Sequence, residues 1–198
     1  MLVLGHAGIT LGAAAILSTA LGSSRSSQVV PLGNSTSQKA SWLTSLGRRI
    51  DIRLLLIGSL LPDIIDKPVG QVFFRETLSN GRIFCHTLLF LIIITLSGLY
   101  LYRWRSRIWL LVLSFGTFIH LVCDQMWRSP RTLLWPVLGL AFERADLTDW
   151  MPNMVYALLT SPEVYVPELV GAAIIIWFAV ELVRKRKVFA FVKYGQVQ

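Results

Sequence analysis

The chain has 198 residues and a mass of 22.3 kDa, a size that favours a single domain. Hydrophobic residues make up 54% of it and charged residues only 15%, against about 25% in a soluble domain, and the mean hydropathy is +0.60. This composition excludes a disordered chain and disfavours a soluble fold, because so much apolar surface cannot be covered in water. The sequence therefore predicts an all-α, polytopic membrane protein.

The net charge of +8 comes from 19 basic and 11 acidic residues. The basic residues lie mainly between or after apolar runs, a pattern that orients membrane spans, and we expect no nucleic-acid partner. Cys85 and Cys123 lack CxxC spacing and fall inside apolar runs, which is typical of small buried hydrophobic side chains.

About 20 apolar residues cross the hydrocarbon core of a bilayer. Segments near this length predict a bundle of about five transmembrane helices, at residues 2–21, 50–65, 83–102, 108–127 and 164–183. The second segment is the weakest of them, because it is short and contains Asp51, Arg53 and Asp63. We interpret residues 1–198 as one integral-membrane domain within the lipid bilayer.

Two polar stretches separate these segments. Residues 22–49 are rich in Ser, Thr, Gly and Asn and predict a linker that ends in a short interfacial helix. Residues 128–163 contain four prolines and predict an outer loop. Its apolar piece, 133–142, is too short to span a bilayer, so we expect a re-entrant or interfacial element there.

The basic residues also predict an orientation. If the spans alternate, the groups around 25–53, 103–107 and 184–187 lie on the same side of the membrane. Basic loops face the cytoplasm, so we expect the C-terminus to be cytoplasmic and the N-terminus to lie outside.

The chain has three histidines, and each lies within an apolar segment. His6 and His86 come near the starts of the first and third segments, and His120 comes near the end of the fourth. Starts of odd spans and ends of even spans share one side of an alternating bundle. Ionisable residues are costly inside a membrane and indicate a functional site.

Aspartates accompany these histidines at the same expected depth. Asp63 and Asp66 close the second segment, and Asp124 follows His120 by four residues, on the same helical face. Imidazole and carboxylate together suit zinc, with manganese or iron as alternatives. The predicted ligands of a divalent metal are His6, Asp63, Asp66, His86, His120 and Asp124. The alternative is a set of His–Asp contacts that only hold helices together.

Four motifs carry a resemblance to a known family. They are His6, the run 58–66 (GSLLPDIID), Gly81-Arg82 followed by His86-Thr87, and the pair His120 and Asp124. Together they resemble the membrane-bound metal-dependent hydrolases, the inner-membrane-associated, LexA-binding-type family, over residues 6–136. The resemblance implies an inner-membrane hydrolase. Family members often read PD-x-D-H where this chain reads PD-x-x-D, which makes Asp66 a less secure ligand than Asp63.

The residues suggest a hydrolytic mechanism. A divalent metal would activate water, Asp66 would act as general base, and Arg82 would hold an anionic substrate oxygen. Arg82 fits a snorkelling interface anchor at least as well. A site at the outer boundary of the membrane favours a phosphoester or lipid-linked substrate, with an amide or peptide as the second choice.

Two other functions stay open. One is a metal transporter, although its ionisable residues would be expected near the bilayer midplane, and residues 89–95 and 171–177 carry no charge. The other is a non-catalytic membrane scaffold with structural His–Asp contacts. Glu168 is a further candidate site residue, and it could instead pair with Arg128 or Arg131.

Overall fold

The computed structural model describes residues 2–23, 50–144 and 149–195. These residues form helices and loops and contain no strand, which confirms the all-helical prediction. The helices are α1 (Val3–Ser23), α2 (Ile52–Lys67), α3 (Leu88–Arg105), α4 (Trp109–Cys123), α5 (Pro130–Leu133), α6 (Trp150–Thr160), α7 (Pro162–Arg184) and α8 (Val188–Tyr194). The predicted linker and its interfacial helix, from residue 24 onward, lie outside the described residues.

Three short segments connect these helices near their ends. A π-helical turn, Pro68–Phe73, continues α2, and 3-10 turns at Phe84–His86 and Met126–Arg128 precede α3 and follow α4. Within the described residues, α3 and α7 are long and apolar enough to cross a membrane. α4 and the Val3–Leu17 part of α1 are apolar but shorter. The bundle of five spans therefore stays a prediction.

Two predicted boundaries differ from the structure. The third segment becomes α-helical at Leu88 rather than at residue 83, because Phe84–His86 form a 3-10 turn and the Thr87 hydroxyl caps α3, accepting from the Phe90 N–H at 3.1 Å. The predicted outer loop, 128–163, contains the helix α6. Its Pro152 lies in the first turn, where a helix tolerates proline because that N–H has no intrahelical partner.

Glycines let two pairs of helices approach closely. α1 packs on α7 where Gly8 faces Gly171, and α2 packs on α4 where Gly58 faces Gly116. A Cβ on Gly116 would lie 2.7 Å from the carbonyl carbon of Gly58, closer than real Cβ atoms come to other atoms. Small residues at such crossings are typical of helix packing in membranes.

The buried apolar and polar side chains separate along the bundle. The apolar core lies among the start of α2, the end of α7 and the parts of α1 and α4 beside them, and contains Leu11, Ala14, Ile52, Leu55, Val112, Phe178 and Leu182. The buried histidines lie at the opposite end of the bundle, His6 at the start of α1, His120 near the end of α4 and His86 in the turn before α3. The apolar end holds the helices together and leaves the other end for polar chemistry.

Candidate metal centre

Side chains from four segments of the chain meet at one end of the bundle. His6 comes from the start of α1, Asp63 from the end of α2, His86 from the turn before α3, and His120 with Asp124 from the end of α4. The three imidazoles are fully buried. The rings of His6 and His120 stack with centroids 4.1 Å apart, and the centroids of His86 and His120 are 5.1 Å apart.

A proline in α2 helps to hold His120 in place. Pro62 has no N–H, so the carbonyl of Gly58 loses its helical donor, and the Thr117 hydroxyl of α4 donates to it at 3.3 Å. One residue further on, the carbonyl of Ser59 accepts from Nδ1 of His120 at 2.7 Å. A carbonyl only accepts, so Nδ1 of His120 carries the proton and Nε2 presents a lone pair.

Asp66 lies behind His86, with no exposed surface. Its carboxylate accepts from the backbone N–H groups of Ile83 (2.9 Å), Cys85 (3.0 Å) and His86 (3.2 Å), and from Nδ1 of His86 (2.7 Å). These donors use both oxygens. Asp66 thus fastens the turn before α3 to the end of α2, and it orients the ring of His86.

The two fixed imidazoles face each other through their remaining nitrogens. Nε2 of His86 lies 3.2 Å from Nε2 of His120. Because Nδ1 of each ring donates to Asp66 or to the Ser59 carbonyl, each Nε2 presents a lone pair when its ring is neutral. Two lone pairs at this distance repel unless a cation or a proton lies between them. A histidine that gives its other N–H to a carboxylate or a carbonyl is characteristic of metal ligands.

Asp63 faces this pair of nitrogens. Its Oδ1 lies 3.6 Å from Nε2 of His86 and 3.8 Å from Nε2 of His120, too far for hydrogen bonds. Its Oδ2 pairs with Lys67, one helical turn away, at 2.6 Å. Lys67 therefore neutralises one side of the carboxylate and leaves the other side directed at the imidazoles.

Asp124 bridges the cluster and the surface. Its Oδ1 is 3.1 Å from Nε2 of His6, and its Oδ2 is 2.9 Å from the Arg82 guanidinium. Within the described part of the chain, neither ring nitrogen of His6 makes a well-aligned hydrogen bond, and the hydroxyl of Thr10, one turn further along α1, lacks one too. Buried polar atoms of this kind are rare in proteins and favour a site that takes a further polar group.

These side chains form two overlapping sets of ligand atoms. One set is His6, His120 and Asp124, and the other is Asp63, His86 and His120, each with its ligand atoms within 4.8 Å of one another. His120 belongs to both sets but has a single free lone pair. It can therefore bind only one ion.

The geometry of the second set fits a metal ion. Nitrogens bound tetrahedrally at about 2.0–2.1 Å from zinc lie roughly 3.3–3.4 Å from each other. The two Nε2 atoms are 3.2 Å apart, and the Oδ1 of Asp63 is 3.6 Å and 3.8 Å from them. Small side-chain shifts would bring all three atoms to bonding distance.

Glu168 has a different partner from those expected. Its carboxylate accepts from the backbone N–H groups of Leu2 (2.5 Å) and Gly5 (3.0 Å), while Arg128 pairs with Glu163 at 3.6 Å. A negative charge at a helix N-terminus satisfies free N–H groups and interacts favourably with the helix dipole. Glu168 thus fixes the first turn of α1, which carries His6.

The fold and the cluster define a helical membrane protein with a buried His–Asp centre at one end of its bundle. The chain belongs to the YdjM inner membrane protein family, whose family model matches residues 1–188. It is therefore an inner membrane protein. Searches of curated proteins and of solved structures found no match to this chain.

Proposed function

We propose that this inner membrane protein is a metal-dependent hydrolase. The observation that carries the proposal is the 3.2 Å distance between the Nε2 atoms of His86 and His120, whose Nδ1 atoms lie against Asp66 and the Ser59 carbonyl. A divalent ion, zinc first and manganese or iron as alternatives, would be held by these two histidines and Asp63. The donor set of two imidazoles and a carboxylate supports this choice.

A bound divalent ion supplies Lewis-acid polarisation and lowers the pKa of a water molecule beside it. The protein's own groups complete the reaction. Asp124, whose Oδ2 lies 3.9 Å from Nε2 of His86 and 2.9 Å from the Arg82 guanidinium, would accept a proton from the attacking water. His6 would orient Asp124. We assign one ion to each chain, because a second one would have to share the single lone pair of His120.

Asp66 has another role in this proposal than the one predicted from the sequence. A ligand or a general base must reach the reacting atoms, and Asp66 is fully buried behind His86, where its oxygens accept from three backbone N–H groups and from Nδ1 of His86. We therefore propose that Asp66 is a positioning residue for His86. Arg82 keeps its predicted role of holding an anionic oxygen.

The location of the cluster supports a substrate that partitions into the membrane interface. Arg103, Arg105 and Arg184 lie in the last turns of α3 and α7, at the end of the bundle away from the cluster. If those basic residues face the cytoplasm, the cluster lies at the outer interface and the N-terminus lies outside. A phosphoester or lipid-linked substrate is our first choice, and an amide or peptide is the second.

The test combines metal analysis with turnover. Elemental analysis of the detergent-purified protein should find about one ion per chain, as three ligands from one centre imply. Liposomes of phospholipid should then release phosphate or a head group, and Asp63→Asn should abolish that release. Ser114→Ala, which removes a buried hydroxyl of α4 outside the cluster, is the matched control.

The outcomes separate the three functions. Bound metal without cleavage of any ester, amide or phosphoester would rule out the hydrolase, and metal uptake by proteoliposomes would then indicate a transporter. Protein without metal, with Asp63→Asn changing only stability, would indicate a scaffold whose His–Asp contacts hold the helices together.

A further inference from the structure

A cavity of about 220 Å³ adjoins the cluster at the end of α4. By the volume that water occupies in the liquid, about 30 Å³, it has room for roughly seven water molecules. Its lining comes from the loop before α3, from the end of α4 with the turn that follows it, and from the start of α7. The lining residues are Arg82, Cys123, Asp124, Gln125, Arg128, Ser129, Glu163 and Val164. It is large enough for a tetrahedral oxyanion and part of the group that carries it.

The cavity and the metal cluster share Asp124. One oxygen of this carboxylate faces His6 inside the cluster, and the other accepts from the Arg82 guanidinium on the cavity side. A ligand in the cavity would therefore lie beside the residue that we propose as the proton acceptor.

The two arginines of the cavity have hydrogen-bonding capacity to spare. A guanidinium has five N–H donors, and Arg82 uses its Nη2 on Asp124, while its side chain is 44% exposed. Arg128 contacts Glu163 at 3.6 Å, with the two side chains 64% and 75% exposed. So long and exposed an ion pair is weak, and Glu163 can turn into solvent when another anion takes its place.

A left-handed residue brings Arg128 to the cavity. Gln125 has φ of 51°, which ends the path of α4 and leads into the 3-10 turn Met126–Arg128. The backbone N–H of Arg128 then bonds to the Gln125 carbonyl at 2.9 Å. Arg128 therefore lines the same cavity as Asp124, which is four positions earlier in the chain.

We infer that this cavity binds a phosphate group, with Arg82 and Arg128 as its two guanidinium contacts. This phosphate group would be part of the hydrolase's substrate, so the inference rests on the proposed function. Paired planar donors are the arrangement that suits phosphate oxygens, and displacing Glu163 leaves the cavity with more positive than negative charge. Arg128 is then a specificity-determining residue, and Glu163 competes with the ligand for it.

Titration of the detergent-purified full chain tests this inference. The probes are inorganic phosphate and a short-chain phosphatidylglycerol, each followed by calorimetry with and without EDTA. Arg128→Gln should weaken binding at least about tenfold, the loss expected for a charged hydrogen bond, and Glu163→Gln should tighten it severalfold. Arg131→Gln removes the same charge from a neighbouring exposed position outside the cavity and should change nothing.

Comparing phosphatidylglycerol with inorganic phosphate shows whether the bound phosphate comes from a lipid or is free. Binding of either probe supports the inference. No binding of either probe, or equal affinities for the wild type, Arg128→Gln and Glu163→Gln, would overturn it. Phosphate binding that persists in EDTA and depends on Arg128, in a protein that binds no metal, would support the cavity while the hydrolase fails. One metal ion per chain without any phosphate binding would overturn the inference about the cavity and leave the proposed hydrolase standing.

Discussion

Nε2 of His86 lies 3.2 Å from Nε2 of His120, although 34 residues separate the two along the chain. Each ring is fixed from behind, His86 by the carboxylate of Asp66 and His120 by the carbonyl of Ser59. Fixing both rings before any ligand arrives reduces the cost of ordering them when an ion binds. This relationship is the main reason to regard the cluster as a candidate metal centre.

Replacing His120 should affect metal binding more than any other single change, because His120 belongs to both sets of ligand atoms. We expect His120→Ala to lower metal content by about tenfold or more, since a site that loses one of three ligands binds weakly. Elemental analysis measures this content. Ser114→Ala on the same helix should keep its metal, and equal metal content in both variants would remove α4 from the site.

Asp66→Asn should weaken metal binding through His86. The amide presents an NH₂ group where backbone N–H groups now donate, so the ring of His86 loses its fixed orientation. Changes to such supporting groups typically cost about 10–100-fold in metal affinity. Competition with a chelator measures that affinity. If turnover fell while metal affinity stayed the same, Asp66 would be acting as the general base predicted from the sequence.

Arg82→Lys should reduce turnover more than stability. Lysine keeps the charge beside Asp124 but loses the planar, paired donors. A fall in kcat/KM of about tenfold is expected for one lost charged hydrogen bond. Thermal unfolding in detergent provides the comparison, and unchanged kinetics would identify Arg82 as an interface anchor.

The crossing of α1 and α7 can be tested with two alanine substitutions one turn apart. A Cβ on Gly8 would overlap the backbone of Gly171, whereas a Cβ on Gly12 would lie 3.2 Å from the flexible end of Ile174. Gly8→Ala should therefore destabilise the fold by about 1–3 kcal/mol, as overpacking does. Gly12→Ala should be nearly neutral. Thermal unfolding measures both, and equal midpoints would contradict this packing.

Glu168→Gln should loosen the first turn of α1. The neutral amide loses the charged acceptor for the N–H groups of Leu2 and Gly5, a change worth about 0.5–2 kcal/mol at a helix N-terminus. Amide hydrogen exchange at residues 2–6 should speed up, and turnover should fall slightly because His6 lies against Asp124, the proposed proton acceptor. Unchanged exchange there would show that Glu168 does not cap the helix.

The sequence indicated the helical class and the depth of the polar residues. Apolar runs of nearly membrane length predicted most of the helices, and alternation along the bundle predicted that His6, His86 and His120 share one end. The structure brings these three residues together with Asp63 and Asp124. The sequence did not indicate the helix α6, since the prolines around Pro152 predicted a loop.

The sequence by itself determined which residues are too polar for the lipid and about how deep each one lies, because helical rise converts position along a span into depth. Only the tertiary structure decided which atoms face each other. The crossings at Gly8 and Gly58 set how the helices are rotated and spaced, and those rotations separate Asp63, whose oxygen faces the imidazoles, from Asp66, whose oxygens are taken by the chain itself. Spacing along one helix cannot supply this information, since it depends on contacts between segments distant in the chain.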